Sequence, residues 1–105
     1  MMNKTIELVK EWGYNRGILK AGDSSLESRL AQFTKTQEEV TELLVAIKDY
    51  ERAEAIDAIG DVIVTLIMQA ELWGTDIQTC LERAYEEISK RKGKMINGVF
   101  VKEMN

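Results

Sequence analysis

Six acidic side chains carry the chemical potential of this sequence. Glu38, Glu39 and Glu42 form an E-E-x-x-E run, and Glu54, Asp57 and Asp61 follow at spacings of three and four residues. On helices turning ~100° per residue, the first three fall within an arc of about 100° and the second three within about 60°. Both stripes border apolar positions, Val40, Leu43 and Ile47 beside the first and Ile56, Ile59 and Val62 beside the second. Acids placed this way run along the edge of a core.

The spacing between the two stripes adds a constraint. If the helices fold back near residue 50, positions whose numbers sum to about 100 share a height along the pair. Glu39 then stands level with Asp61, and Glu42 with Asp57 or Ala58. Four facing carboxylates, Glu39, Glu42, Asp57 and Asp61, repel one another unless a cation neutralises them. Mg²⁺ suits such an all-oxygen cage, with Mn²⁺ a second option. Calcium is less suited, because the sequence has no EF-hand loop. Spacing alone also admits a plainer interpretation, since glutamate is a good helix former and acidic helix faces are commonly just solvated.

Composition narrows the remaining chemistry. The 105 residues contain no histidine, no proline and one cysteine, Cys80. A Ser-His-Asp triad, a Cys-His pair and an imidazole zinc site are excluded. One cysteine makes no internal disulfide, which fits a reducing compartment. The net charge of −4 divides unevenly: +2 over residues 1–35, −10 over 36–87 and +4 over 88–105. The acidic middle argues against nucleic-acid binding, which depends on neutralising phosphates. The opening MMNKTIELVKEW lacks a signal-peptide core, and the longest apolar stretch, Val62–Met68, is far below the ~20 residues that span a bilayer. The expectation is a soluble cytoplasmic protein with no membrane partner, forming one domain over residues 1–105.

The elements that must position the acids are helices. Glycines divide the chain, and a first helix is predicted from about Asn3 to Tyr14, ending near Gly13. A loop follows over residues 16–24, with Asp23 or Ser24 as candidate cap. A long helix is expected from about Ser25 to Asp49, a tight joint over residues 49–52, and a third helix from about Ala53 to Trp73. Thr75 or Asp76 would cap a fourth helix reaching about Lys92. Asn97-Gly98 between β-prone residues predicts a short C-terminal β-hairpin. The fold class is all-α, an antiparallel four-helix bundle with that hairpin appended. From Val62 to Met68 only Thr65 interrupts the apolar residues, so the third helix needs cover on several sides and self-association is expected.

These residues resemble a known family. Lys35-Thr36-Gln37-Glu38-Glu39-Val40-Thr41-Glu42-Leu43 resembles the first metal motif of the MazG-like nucleoside triphosphate pyrophosphohydrolases. Asp57-Ala58-Ile59-Gly60-Asp61-Val62 resembles the second, and residues 84–95 look like the closing segment of small, phage-type members. The approach from Trp12 and Arg16-Gly17-Ile18 also fits, so the likeness covers nearly the whole chain. It implies an all-α hydrolase that cleaves a nucleoside triphosphate between its α and β phosphates, with Mg²⁺, as a dimer or tetramer. By position, Glu39, Glu42 and Asp61 match metal ligands. One departure stands out: Ala58 occupies the place of an expected Glu, and Asp57 or Glu54 would have to serve instead.

The implied chemistry suits the residue types. Carboxylate-bound metal neutralises a triphosphate and polarises the α-phosphoryl oxygen. Glu38 or the metal would hold the attacking water, with Glu38 and Glu39 as the candidate catalytic residues. Arg91 and Lys94 are candidates for the β and γ phosphates, with Lys35 a third. Asn97, Trp12, Tyr14 and Trp73 are candidates for the base, although aromatic residues at such positions more often serve the core. Lys90–Lys94 also reads simply as a basic, solvated helix end. The rival from another class is a catalytically inactive oligomeric module that binds nucleotide or protein, and Ala58 is the feature favouring it.

Overall fold

A computed structural model of the chain describes residues 3–103. Helix α1 spans Lys4–Asn15, α2 Leu26–Lys48, α3 Arg52–Leu72 and α4 Ile77–Ile88; strands β1 (Gly93–Ile96) and β2 (Val99–Lys102) complete the order. The chain is mostly α-helical, with the hairpin where Asn97-Gly98 places it. Asn97 and Gly98 take φ of 50° and 81°, the left-handed pair a two-residue hairpin loop requires.

Side-chain oxygens set the helix starts. Asn3 accepts from the Thr5 amide at 2.7 Å and Asp76 from the Thr79 amide at 2.7 Å. Ser25, one place beyond the expected caps, accepts from the Ser28 amide at 3.1 Å. Asp23 instead braces that cap, accepting from the Ser25 amide at 3.0 Å and the Ser28 hydroxyl at 2.6 Å.

Two boundaries differ from expectation. Gly13 does not end α1; it lies buried inside it, and a Cβ there would overlap Met68 Sδ. The glycine serves close approach of α1 to α3. Helix α4 stops at Ile88 rather than near Lys92. No apolar residue follows Ile88 until Met95, so further turns would bury nothing.

Helices α2 and α3 form an antiparallel pair joined by a turn in which Tyr50 takes φ 59°. Helices α1 and α4 each pack on α3. The core is Leu19, Ile67, Met68 and Leu72, with Ile6, Val9, Ile18 and Ile77 packed around it. Lys10 Nζ lies 3.3 Å from Glu71, tying α1 to α3. Gln69 donates to the Arg29 carbonyl at 3.0 Å, and the Arg29 guanidinium stacks 4.2 Å from the Trp73 ring.

This core is small for the chain. A compact 12.0 kDa protein exposes about 6,000 Å² and has a radius of gyration near 13 Å. Here the values are 8370 Å² and 16.1 Å. The excess includes Phe33, Val40, Leu44 and Ile47 on α2 and Ile56, Ile59 and Ile63 on α3, all about half-exposed. No helix among the described residues is long and apolar enough to cross a membrane.

Candidate metal centre

The antiparallel pairing of α2 and α3 sets the site. Thr36 on α2 meets Thr65 on α3, hydroxyl to hydroxyl, at 2.8 Å, and Thr65 donates onward to the Val62 carbonyl at 2.7 Å. Both threonines lie about one turn from the acids, so their contact holds the two stripes at matched height. Carboxylate oxygens of Glu39, Glu42 and Asp61 fall within 4.8 Å of one another. Glu39 and Asp61 thus face each other across the pair, as their mirror spacing implies.

Glu39 is only 8% exposed. Its Oε1 lies 3.3 Å from Lys35 Nζ, one turn earlier on the same helix, while its Oε2 is buried with no hydrogen-bond partner. Isolated burial of a carboxylate oxygen is costly, so such an atom calls for a ligand. Glu42 is held above the usual carboxylate range, first by side-chain contact with Glu39 and then by its charge; desolvation and Asp61 add to this, and Lys35 opposes it. Lys35 is held above its ordinary value by hydrogen bonds to Glu38 and then Glu39. Three carboxylates with one lysine between them leave excess negative charge at one point, which is the electrostatic condition for a hard divalent cation.

Asp57 is not among those three. It lines an adjoining open pocket of about 380 Å³ with Glu42, Glu54, Ala58 and Asp61. Where a glutamate is expected, the small Ala58 side chain leaves room in this pocket, and Glu54 and Asp57 keep its wall acidic. Glu38 sits at the exposed rim, 3.3 Å from Lys35. Trp73 is engaged by Arg29 and by Gln69, which accepts its ring N–H at 3.2 Å, and Trp12 lies under Arg16 at 5.9 Å.

Arg91, Lys94 and Asn97 are not brought to the acids within one chain. Arg91 lies just past α4, and Lys94 and Asn97 lie on the hairpin, which packs against none of the described helices. The Thr36–Thr65 contact was missed from sequence. Its signal was the single polar residue in the Val62–Met68 run, together with a sum of positions close to that of Glu39 and Asp61.

The paired helices and their facing acids are those of a pyrophosphohydrolase of the MazG-like superfamily, a hydrolase acting on phosphoric anhydride bonds. A family model described as phosphoribosyl-ATP pyrophosphohydrolase matches residues 20–91, more than half of the chain, and the chain belongs to that family. The matched span contains α2, α3 and α4 and every acid of the cluster, and it stops short of the hairpin. Enzymes of this family depend on a divalent metal. No curated protein and no solved structure matches the chain.

Proposed function

We propose that this chain is a Mg²⁺-dependent pyrophosphohydrolase that cleaves a nucleoside triphosphate, ribo or deoxy, between the α and β phosphates. The products are the monophosphate and pyrophosphate, and Mn²⁺ is the alternative ion. The observation that carries this reading is the buried, unpartnered Oε2 of Glu39, set against Glu42 and Asp61 within 4.8 Å. That donor set is all oxygen and all carboxylate, which fits Mg²⁺ and disfavours softer ions.

Glu39, Glu42 and Asp61 would hold the metal, with Asp57 and Glu54 in reach through the adjoining pocket. When bound, it supplies charge neutralisation and polarisation of the α-phosphoryl group. Lys35 orients Glu39 through its 3.3 Å contact. Glu38, exposed beside it, holds a water and takes its proton as the water oxygen attacks the α-phosphorus. The bond to the bridging oxygen breaks in line, and that oxygen leaves with pyrophosphate. No covalent enzyme intermediate is required.

Two substrates share this bond: a free nucleoside triphosphate and phosphoribosyl-ATP. The matched family carries the name of the second, and the assay below separates the two. The half-exposed apolar surface supports a homo-oligomer, a dimer or tetramer of a single domain spanning residues 1–105. The test is the purified chain with Mg²⁺ and each nucleoside triphosphate, deoxynucleoside triphosphate and phosphoribosyl-ATP, with pyrophosphate detected. Equal yields of pyrophosphate and monophosphate are expected from at least one substrate. Release of orthophosphate, or no product from any, argues against the assignment.

A further inference from the structure

We propose that the C-terminal hairpin of one copy seats in the groove between α1 and α3 of a second copy, and there completes the acidic site with its basic residues. The inference rests on the pyrophosphohydrolase reading for the role of the basic residues, and on the structure for the docking itself.

The hairpin is unfinished as it stands. Its eight strand residues are all exposed, and neither strand packs on a described helix. The register pairs Met95 with Phe100 and Ile96 with Val99, so apolar side chains project from both faces. A lone two-stranded hairpin is marginal in water, and one with two apolar faces requires a cover.

The groove offers that cover. It is about 630 Å³, lined by Ile6 and Val9 of α1 and by Ile56, Ile63, Val64 and Ile67 of α3. Gly60 opens onto it with no atom within 4 Å of where a Cβ would stand, so another backbone has room to approach. Asp57 and Asp61 belong both to this groove and to the acidic pocket. An occupant of the groove therefore ends beside the proposed metal ligands.

Charge selects the hairpin as that occupant. Residues 88–105 carry +4 and residues 36–87 carry −10. A hairpin with apolar Met95 and Phe100 on one face, Lys94 beside Val101 on the other and Arg91 just before its base brings both apolar and basic groups to an apolar groove with an acidic end. Docked there, Arg91 and Lys94 reach the place where a β,γ-diphosphate would lie against the metal. The excess of about 2,400 Å² over a compact chain of this size is also what an obligate dimer interface requires.

Cross-linking tests the docking without needing activity. Phe100→Cys is combined in turn with Thr5→Cys, Ile56→Cys or Ile63→Cys in a Cys80→Ser chain. Cys80, Thr5, Ile56, Ile63 and Phe100 are all exposed, so these changes spare the isolated fold. A covalent dimer on oxidation is expected from at least one combination. Disulfides only within a chain, or none in any combination, overturn the proposal. Subunit mixing tests the completed site. Glu39→Gln and Arg91→Ala/Lys94→Ala chains, each inactive alone, should recover about a quarter of wild-type turnover when exchanged at equal amounts. No recovery overturns the shared site. If the wild type hydrolyses no triphosphate, the functional reading fails while the cross-link still decides the docking.

Discussion

The Thr36 hydroxyl on α2 meets the Thr65 hydroxyl on α3 at 2.8 Å, and this pair fixes the height at which Glu39 and Asp61 face each other. Thr65 is 3% exposed and donates a hydrogen bond to the Val62 carbonyl. It is a polar link in an apolar stretch, and its geometry is decided by register rather than by burial.

Replacing Thr65 by Val keeps the shape and removes the link. The Thr36 hydroxyl loses its partner across the helix pair and keeps the Gln32 carbonyl at 3.0 Å on its own helix, so the cost is about 0.5–1.5 kcal/mol. Urea unfolding should show a lower midpoint with an unchanged slope. An unchanged midpoint would mean that the two helices find their register without this contact.

The metal-free acidic cluster opposes folding, and a cation should reverse that. Mg²⁺ at about 100 times its dissociation constant stabilises a protein that binds it only when folded by about 2.7 kcal/mol. Thermal melts should rise on adding Mg²⁺ and fall back with a chelator. Glu39→Gln removes a buried charge, so its metal-free melting point should not fall, while its response to Mg²⁺ should be lost.

Glycine has opposite meanings at two helical positions. At Gly13 an added Cβ overlaps Met68 Sδ, and overpacking of this kind costs about 1–3 kcal/mol in Gly13→Ala. At Gly60 nothing lies within 4 Å, so Gly60→Ala should stabilise the isolated helix pair by about 0.5–1 kcal/mol. Chemical denaturation of the two variants side by side gives opposite signs if both environments are as described.

The Asp76 cap makes α4 sensitive to acid. Its carboxylate is held below the ordinary 3.8, first by the Thr79 backbone amide and then by the Thr79 side chain. The folded state thus binds its proton less readily than the unfolded chain. The resulting stability is present above pH 3.8 and disappears as the pH falls through the lowered value. Asp76→Ala should melt below the wild type at neutral pH, and the gap should close in strong acid.

The acids were the most legible part of the sequence. Their helical arcs and the sum of their positions put Glu39 opposite Asp61 with no further information. The hairpin was legible for a similar reason, because Asn97-Gly98 has a local backbone preference that needs no tertiary support. Gly13 misled because its role is set by Met68, some fifty residues away in the chain. The end of α4 misled because lysine and arginine are good helix formers, whereas the helix stops where its apolar face stops. The place of Arg91, Lys94 and Asn97 could not be read at all, since Arg91 lies between α4 and the hairpin that carries the other two, and that hairpin packs against no described helix.

Pyrophosphate release with Mg²⁺ by the wild type and by Glu39→Gln is the most direct test of the metal centre. A site built on Glu39, Glu42 and Asp61 predicts pyrophosphate and monophosphate in equal amounts from the wild type. It predicts a loss of about a hundredfold or more in Glu39→Gln, with helical content unchanged. Equal turnover by the two proteins would contradict it.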